Sequence, residues 1–373
     1  MGNCIRNLSD GVVLIAADDT WIEGKAIQQL ETTARLPGMH RVAGMPDLHP
    51  GRGYPVGAAF FAIGRLYPAL VGNDIGCGMA LWRTDLPTAK LHLDKLEKRL
   101  GNLDLPLDQD WAEAIAAFGL PPSGHERSLG TIGGGNHFAE LQQLDLSYDD
   151  AALERLGIAR NRLLLLVHSG SRGLGEAILR EQVELFGHVG LEAGGAACAH
   201  YLARHDGALR FAEANRQLIA RRMLERLRCD GEALLDVNHN LVSPACIDGR
   251  DGWLHRKGAT PSDQGVMVIP GSRGDFSYLV EPLVDERSLL SLAHGAGRKW
   301  MRSECKERLA PRYSVEQLAR TTLGSRVICA DRALIYEEAP EAYKAIDSVV
   351  GALRDAGLVR VLARLKPVLT YKT

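Results

Sequence analysis

Short apolar runs rich in β-branched residues recur along the chain and predict strands, because such side chains suit a pleated, half-buried surface. These runs lie at residues 12–16, 56–63, 79–82, 163–167, 266–269, 327–330 and 358–362. Helices are predicted at residues 22–34, 91–100, 172–185, 191–228, 297–308 and 341–353. Strands and helices intermix without regular alternation. The pattern therefore predicts an α+β fold, a single mixed domain over residues 1–373, rather than a doubly wound parallel sheet.

Polar, glycine-rich segments lie where predicted strands run into loops, which is where rigid scaffolds place chemistry. The chain has 40 glycines, and they concentrate around these polar segments, as expected for tight turns and close ligand approach. Residues 103–130 contain Pro106, Pro121 and Pro122 and predict a surface excursion rather than a domain boundary.

Composition narrows the class of protein. The chain has 373 residues, 46% hydrophobic and 24% charged, which is typical of a soluble globular protein with a large core. Its net charge of −2 means that any contact with nucleic acid requires a local basic surface. No stretch approaches the roughly 18 consecutive apolar residues of a membrane span, and no secretory segment is expected. The seven cysteines are odd in number and widely spaced, which favours a reducing, cytoplasmic setting.

Five potential metal ligands lie in separate segments of the chain. They are Asp74 and Cys77 in the sequence Asn-Asp-Ile-Gly-Cys-Gly, His137 after Gly-Gly-Gly-Asn, His168 at the end of a Leu-rich strand, and His239 between two asparagines. A structural zinc site usually uses two close ligand pairs. Ligands of mixed hardness from distant segments indicate instead a functional metal centre with positions left open for substrate.

Each of these residues also has a structural interpretation. A lone cysteine is most often an inert core residue, but Cys77 lies between two glycines that offer no lateral packing. Asp74 in the same turn then favours metal ligation. His168 is also consistent with a core histidine that caps a strand. His239 has asparagine on both sides, a setting too polar for the centre of a core strand.

The segment around His137 predicts a strand in which alternate residues face opposite sides. Asn136, Phe138 and Glu140 would share one face, and His137 would point to the other. One strand would thus present a metal ligand on one side and a polar, stacking pocket on the other. His294, in the sequence Ala-His-Gly-Ala-Gly-Arg, has no second ligand beside it and is a candidate nucleophile.

Three further segments have the composition of anion contacts. The helix start at residues 169–173 is a natural phosphate site, with Arg172 as a partner. Residues 255–260, His-Arg-Lys-Gly-Ala-Thr, are equally consistent with a solvated basic turn. Residues 270–278 offer the hydroxyls of Ser272 and Ser277. The sequence has neither a Walker-type phosphate loop nor a Gly-x-Gly-x-x-Gly placed after a strand, so a nucleotide would need a different cradle.

These motifs together resemble those of the RtcB-type RNA ligases. Such enzymes depend on GTP and manganese and join RNA 3′-phosphate or 2′,3′-cyclic phosphate ends to 5′-hydroxyl ends. The resemblance covers nearly the whole chain in the family's order. Its segments are residues 46–51, 73–78, 133–137, 167–173, 238–240, 255–260, 270–272, 294–298, 340–344 and 371–372.

The resemblance implies strands surrounded by helices, with a central metal-containing cleft. It implies two Mn²⁺ ions held by Asp74, Cys77, His137, His168 and His239, with Cys77 bridging, and GMP carried on His294. The residues that would hold the nucleotide are Asn136, Phe138, Glu140, Ser272, Ser277, Tyr343 and Lys372, beside His239, Asn240, Gly295 and Gly297. Lys372 and Glu140 would read guanine. The small residues after His294 would leave room for a phosphate, with Arg298 to hold it.

Two features depart from the family's usual pattern. Residues 273–275 read Arg-Gly-Asp where the family more often has Met-Gly-Thr, so Arg273 and Asp275 are predicted to tune the choice of nucleotide or RNA. The chain is also shorter than most members. Both features resemble the branch that is often paired with a release-factor-like protein and is thought to mend damaged ribosomal RNA. RNA repair is therefore expected ahead of tRNA splicing.

Two other functions remain open from the residues. A dinuclear-metal RNA phosphatase or cyclic phosphodiesterase would use the same ligands but need neither His294 nor GTP. A non-catalytic RNA- or ribosome-binding protein would keep the fold, although the five ligands together with His294 argue against it. By ligand type the site would also accept Zn²⁺ or Co²⁺, so manganese is what the resemblance implies. A covalent label from α-labelled GTP that survives denaturation would support the ligase alone.

Overall fold

The computed structural model describes residues 4–89 and 91–373 and shows a mixed α+β fold, which confirms the predicted fold class. The strands are β1 (Ile5–Ser9), β2 (Val12–Ile15), β3 (Met39–His49), β4 (Val56–Ala62), β5 (Arg65–Leu66), β6 (Gly78–Pro87), β7 (Phe138–Ser147), β8 (Arg162–Ser169), β9 (Leu191–Glu192), β10 (Gly231–Asn238), β11 (Asn240–Ile247), β12 (Arg250–Lys257), β13 (Ala259–Pro261), β14 (Met267–Pro270), β15 (Ser277–Pro282), β16 (Ser291–Ala293), β17 (Arg326–Cys329) and β18 (Val359–Lys372). The α-helices are α1 (Gly24–Thr33), α2 (Leu93–Leu100), α3 (Ala112–Ala116), α4 (Asp150–Arg155), α5 (Gly173–Phe186), α6 (Ala196–Leu227), α7 (Arg302–Leu309), α8 (Val315–Leu318), α9 (Arg332–Glu337) and α10 (Ile346–Asp355).

Two sheets carry most of the strands. The first has six strands in the order β1-β2-β3-β4-β12-β11. The second has eight, in the order β10-β6-β8-β7-β18-β15-β14 with β17 added beside β18. Among the described strands, neighbours are antiparallel except for β2 with β3 and β17 with β18. Antiparallel neighbours agree with the lack of regular strand–helix alternation along the chain.

The two sheets share a hydrophobic core. One buried cluster joins Phe61 of β4 and Leu254 of β12, in the first sheet, to Ile269 of β14 and Val280 of β15, in the second, with α10 packed against them. A second cluster packs α2 and α6 against β6, β7 and β8. Burying apolar surface from both sheets in one cluster ties their stabilities together. The single domain over residues 1–373 stays a prediction, and the shared core favours it.

The predicted helices near the C-terminal third begin later than expected. The helix predicted from residue 297 starts at Arg302, because Gly297 has a φ of +70° and the preceding loop pairs Arg298 with Tyr343. A Cβ on Gly297 would collide with the carbonyl oxygen of Asp47, so this glycine is required for close packing of two loops. The helix predicted from residue 341 likewise starts at Ile346.

The last strand is much longer than its hydrophobic pattern predicts. The expected strand at residues 358–362 runs on as β18 to Lys372, where it pairs with β7, β15 and β17. Lys366 and Pro367 interrupt the run of hydrophobic residues in β18, and the pairing of β18 with β7 shifts register near them. Strand β3 was also missed, whereas β7 begins at Phe138, where the segment around His137 predicts a strand. In the second sheet, the ends of β6, β7, β8 and β10 hold the candidate ligands Cys77, His137, His168 and His239. Phe138 of β7 and Lys372 of β18 line the cavity described below.

Helix α6 is the longest helix, with 32 residues, and lies against the second sheet. None of the helices in the described part of the chain combines the length and apolar character needed to cross a membrane.

The side chain of Arg216, from α6, is fully buried and bonds to several chain segments at once. Its Nη1 donates to the carbonyl oxygens of Gly76 at 2.7 Å and Ser169 at 3.0 Å. Its Nη2 donates to the Asn238 side-chain oxygen at 2.7 Å, and its Nε donates to Asp236 at 2.7 Å. Residues 76, 169 and 238 are the direct neighbours of three predicted metal ligands. One guanidinium therefore holds three ligand-bearing segments together.

Replacement of Arg216 by Met is expected to lower the free energy of unfolding by about 3–5 kcal/mol, because it leaves the Asp236 carboxylate largely buried without its partner. Urea unfolding followed by circular dichroism measures the loss. The matched control is Arg221→Met on the same helix, where the side chain is exposed and the expected change is below about 1 kcal/mol. Equal midpoints for wild type and Arg216→Met would show that the buried guanidinium contributes no net stability.

Candidate functional site

A glycine-rich turn before β6 brings Asp74 and Cys77 to one point. The backbone N–H of Cys77 donates to the Asp74 carbonyl oxygen at 3.1 Å, which closes the turn. Gly76 has a φ of +75° and lies against α6, where a Cβ would come within 2.8 Å of the Ala212 side chain. Gly170 is needed because a Cβ there would collide with the Asp74 carboxylate. The glycines therefore allow this turn to pack between a helix and the β8 loop.

The Cys77 thiol is the centre of a cluster of ligand atoms. Its Sγ lies 3.3 Å from His137 Nε2 and 3.2 Å from His168 Nε2. The Asp74 carboxylate lies 2.8 Å from His137 Nε2. Two sets of three ligands result, Asp74–Cys77–His137 and Cys77–His168–His239, each with its ligand atoms within 4.8 Å of one another. Both sets share Cys77. All five predicted ligands thus lie together.

The protonation of these side chains suits a cation. His168 Nδ1 donates to the Asn136 carbonyl oxygen at 3.1 Å, which leaves the Nε2 lone pair facing Cys77. Burial lowers the pKa of His168 and of His239 well below the ordinary imidazole value, so both rings are neutral. Burial, followed by the charge of Asp74, raises the pKa of the Cys77 thiol well above its usual value. A buried thiolate is therefore stable here only when a positive charge compensates it.

Two further atoms of the cluster lack partners. Among the described residues, Asp74 Oδ1 and His239 Nδ1 are buried and accept or donate no hydrogen bond. Buried polar atoms are nearly always paired, so such atoms in a ligand cluster indicate a missing ligand. Thiolate, imidazole and carboxylate donors in two adjacent sets fit a pair of divalent metal ions.

His294 lies beside this cluster and is oriented by a residue that the sequence analysis did not assign a role. Its Nδ1 lies 2.6 Å from Oδ2 of Asp47, a fully buried residue of β3. A carboxylate accepts, so Nδ1 carries the hydrogen, and in the neutral ring Nε2 keeps its lone pair. The ring centre of His294 is 4.8 Å from that of His239. Lys344 fixes the Asp47 backbone by donating to the carbonyl oxygens of Pro46 and Leu48, each at 2.8 Å.

The sequence around Asp47 contains a signal for a buried polar partner. A carboxylate next to the apolar residues at positions 42–46 and 48 must find a buried partner, because an unpaired charge in the core is costly. The strand itself was missed, and with it the expectation of a partner.

A cavity adjoins His294. The predicted nucleotide residues that line it are Asn136, Phe138, Glu140, Ser272, Tyr343, Lys372, Gly295 and Gly297. The lining residues to which the sequence analysis gave no part in the nucleotide pocket include His49, Arg302 and Glu338. The expectation of two faces after His137 has a counterpart here, because His137 meets Cys77 while Phe138 and Glu140 line the cavity. Strand β7 thereby connects the metal ligands to the cavity.

Three predicted nucleotide residues, Ser277, Asn240 and His239, are not among the residues that line the cavity, and His239 belongs to the ligand cluster instead. Ser277 Oγ accepts a hydrogen bond from Gln142 at 2.7 Å. The Asn240 amide donates to the Asp74 carbonyl oxygen at 3.0 Å and accepts from the Gly258 N–H at 2.7 Å. Asn240 therefore supports the loop that carries the metal ligands.

A buried carboxyl group and a buried ammonium group both line the cavity. Glu140 is 4% exposed and accepts hydrogen bonds from Gln142 and Thr370. Burial raises the pKa of its carboxyl to about 7. Lys372 Nζ donates to the His137 carbonyl oxygen at 2.9 Å, and burial lowers the pKa of this ammonium to about 8. Both groups can therefore change protonation near neutral pH when a ligand arrives.

Three arginines from segments that were considered for phosphate contacts, Arg172, Arg256 and Arg298, have different surroundings. Arg172, at the start of α5, lies 3.4 Å from His137 Nδ1 and has a buried Nε without a partner among the described residues. Arg256 is buried and donates to Ser291 and to the Leu290 carbonyl oxygen, so it supports the fold rather than contacting a phosphate. Arg298 donates all five of its N–H groups within the protein, so the expectation that it holds a phosphate is not supported.

Because Cys77 belongs to both ligand sets, Cys77→Ala is expected to lose both metal ions, whereas His239→Ala removes a ligand from one set and should lose one. Elemental analysis after dialysis against a divalent metal salt measures the metal content. Cys246→Ala, at an exposed cysteine, is the control and should retain wild-type content. Wild-type metal content in Cys77→Ala would show that Cys77 is only a packed thiol.

Comparison with known proteins places this site in a family. The family model described as tRNA-splicing ligase RtcB matches residues 29–114 and 122–373. The chain is 58% identical over 372 residues to RNA-splicing ligase RtcB2 of Escherichia coli strain ATCC 25922, covering 100% of this chain and 98% of that protein. It is 31% identical to RNA-splicing ligase RtcB1 of the same strain, over 94% of this chain and 95% of that protein. It is 30% identical to tRNA-splicing ligase RtcB of Archaeoglobus fulgidus, over 93% and 90%. The chain therefore belongs to the RtcB family of RNA ligases.

Proposed function

We propose that the protein is a GTP- and Mn²⁺-dependent RNA ligase that joins RNA 3′-phosphate or 2′,3′-cyclic phosphate ends to 5′-hydroxyl ends through a histidine–GMP intermediate. One observation carries the proposal. His294 has Nδ1 bonded to Asp47 and no hydrogen-bond partner for Nε2 among the described residues. It lies beside the ligand sets that share Cys77 and lines the cavity with Glu140 and Lys372. A nucleophile, a candidate metal centre and a nucleotide-sized cavity thus meet at one ring.

The first step uses the free lone pair of His294. Nε2 attacks the α-phosphorus of GTP, a phosphorus–nitrogen bond forms, and the bond to the β-phosphate oxygen breaks with release of pyrophosphate. The Nδ1–H bond to Asp47 holds the ring in the reactive tautomer and stabilises positive charge that develops on the imidazole. Asp47 can do so because it is fully buried and is acceptor-only when ionised.

Two transfers complete the reaction. An oxygen of the RNA 3′-phosphate attacks the histidine-bound phosphorus, which frees His294 and leaves the 3′ end activated by GMP. The 5′-hydroxyl oxygen of the second RNA end then attacks the activated 3′-phosphorus, forms the phosphodiester and releases GMP. A 2′,3′-cyclic phosphate must first be hydrolysed to a 3′-phosphate.

Two Mn²⁺ ions would be held by Asp74, Cys77, His137, His168 and His239, with Cys77 in both sets. Their positive charge would neutralise the phosphates that meet at His294. Arg172 would add a fixed positive charge on the same side of the cluster, because its Nη1 lies 3.4 Å from His137 Nδ1. Its buried Nε has no partner among the described residues.

Glu140 and Lys372 would select guanine. A carboxylate accepts from the N1–H and the amino group of guanine, and an ammonium donates to an acceptor on the base. Phe138, whose ring lies 5.8 Å from Lys372 Nζ, would stack on the base. The remaining contacts would come from Asn136, Ser272 and Tyr343, with Gly295 and Gly297 near the phosphates.

The proposed biological role is RNA repair. The chain is 58% identical to the RtcB2 protein of an E. coli strain and 31% identical to the RtcB1 protein of the same strain. Two RtcB proteins in one strain favour separate roles for them. We further infer ribosomal RNA as a substrate and a release-factor-like protein as a companion. A cytoplasmic location agrees with seven cysteines that are all free in the structure.

A dinuclear-metal phosphatase or cyclic phosphodiesterase is the second candidate, because the two ligand sets are complete without His294. His294→Ala separates the two functions. A ligase loses the covalent label from α-labelled GTP and loses ligation. A phosphatase never acquires the label, and its activity does not depend on His294.

His294→Ala is expected to lose the GMP adduct but still to join RNA supplied with a guanylylated 3′ end. The ring is used only when GMP is taken from GTP and passed to the RNA 3′-phosphate, and the final attack by the 5′-hydroxyl does not need it. Asp47→Asn is expected to slow adduct formation by about 10²- to 10⁴-fold, since an amide side chain does not stabilise the imidazolium. Gel analysis of denatured protein and mass spectrometry of peptides measure the adduct. An adduct located on Lys257 or Lys372 would contradict the assignment.

The affinity for GTP is expected to fall on acidification through Glu140. Its pKa is raised to about 7, so below pH 7 the carboxyl of the empty protein is protonated, and this proton must be lost when guanine binds. Loss of one proton on binding weakens affinity about tenfold per pH unit below 7. Glu140→Gln should bind GTP more weakly and lack this component. GTP titrations of both proteins at several pH values give the difference. Parallel curves would show that Glu140 does not contact the base as a carboxylate.

A further inference from the structure

Arg273 is a buried cation that faces the same cavity and is largely unpaired. It is 7% exposed and lines the cavity with Ser272 and Lys372. Its Nη2 donates to the carbonyl oxygen of Ile335, in α9, at 2.6 Å. Among the described residues, its Nε and Nη1 have no hydrogen-bond partner. Leaving buried charged donors unpaired is costly, so their position at a cavity indicates a ligand with acceptor atoms.

The geometry of the guanidinium leaves a forked donor edge. One hydrogen of Nη2 is used by Ile335, and the other points toward either Nε or Nη1. Whichever hydrogen is used, one pair of parallel N–H groups, Nε with Nη2 or Nη1 with Nη2, remains free. Such a fork matches two adjacent acceptor atoms.

The neighbours of Arg273 differ from those of the nucleophile and include Lys372. The charges that act on it most strongly after burial are those of Glu338, Cys329 and Tyr343. Cys329 in β17 is paired with Lys372 in β18, so Arg273 and Lys372 occupy the same end. His294, by contrast, lies against Asp47 and the metal ligand His239.

Asp275, three residues from Ser272, has a different environment. Its carboxylate accepts from the backbone N–H of Phe276 at 2.8 Å and of Ile346 at 3.3 Å. In the part of the chain that the structure describes, it makes no ion pair with Arg273. Asp275 therefore shapes the loop and the start of α10, and Arg273 alone is left to contact a ligand.

We propose that Arg273 is a specificity-determining residue that donates two hydrogen bonds to the O6 and N7 acceptors of the guanine base. This rests on the proposed function, because it requires GTP in the cavity. Guanine presents two adjacent acceptors on this edge, and arginine is their commonest partner in proteins. Adenine presents a donor, its amino group, in place of O6, so the forked edge rejects it. Glu140 would contact the adjacent edge of the base, where N1–H and the amino group are donors.

The test compares nucleotide binding by wild type and Arg273→Met. A bidentate contact of this kind corresponds to roughly a 5- to 150-fold difference in affinity. Arg273→Met should weaken GTP binding by that factor and leave ATP binding unchanged or stronger, so the ratio of the two affinities falls. Arg273→Lys should recover part of the loss, because one donor is retained. Arg332→Met is the control, since Arg332 lies on α9 but is exposed, with a side-chain exposure of 77%.

A base analogue tests the same contact without a variant. In 7-deaza-GTP the N7 acceptor is replaced by C–H, whereas ITP keeps both O6 and N7. Wild type should bind 7-deaza-GTP more weakly than GTP, and Arg273→Met should bind the two equally. This comparison holds even where the variant folds poorly, because the wild-type measurement stands alone.

The outcomes are distinct. Equal loss of GTP and ATP binding in Arg273→Met, with no penalty for 7-deaza-GTP in wild type, would place Arg273 on a phosphate and overturn the proposal. An unchanged ratio with normal formation of the GMP adduct would overturn it while leaving the proposed function intact. Wild type that neither binds GTP nor acquires GMP would overturn both.

Discussion

The buried guanidinium of Arg216 is the constraint on which the rest of the site depends. It bonds to the residues next to Cys77, His168 and His239, which lie at or beside the ends of three neighbouring strands, β6, β8 and β10, of one sheet. Its charge is matched by Asp236, and its donors are saturated by carbonyl and amide oxygens. A cation in the core is tolerated only with such complete pairing. The bonds that satisfy it also fix the spacing of three ligand segments, so the geometry of the cluster follows from a requirement of folding.

Several polar groups of the site have fewer hydrogen-bond partners than Arg216. Asp74 Oδ1, His239 Nδ1 and two nitrogens of Arg273 are buried without partners among the described residues. Each costs free energy in the empty protein, and each faces either the ligand cluster or the cavity. The cost is offset when a cation or an acceptor group binds. The contrast with Arg216 separates residues that hold the fold from residues that await a ligand.

Strand β7 couples the two halves of the site. His137 precedes the strand and meets Cys77, while Phe138 and Glu140 on the strand line the cavity. Lys372, at the end of β18, donates to the carbonyl oxygen of His137 and lies in the same cavity. A displacement of β7 against β18 would therefore move a candidate metal ligand and the nucleotide residues together. This rigid connection suits a reaction in which a phosphate must reach His294 with the base already held.

The sequence by itself determined the mixed α+β class, most helices and the five candidate ligands, because apolar period and glycine-flanked polar residues are local signals. It also determined His294 as an isolated ring in a polar loop. Tertiary structure decided what lies beside each group. It paired Asp47 with His294 and gave Arg256 and Arg298 hydrogen-bond acceptors within the protein. It left two nitrogens of Arg273, which lines the cavity, without partners among the described residues. The length of β18 and the late start of α7 were also decided by partners distant in sequence. A hydrogen-bond partner 247 residues away leaves no trace in local periodicity, so only the folded chain shows which charges are used and which are free.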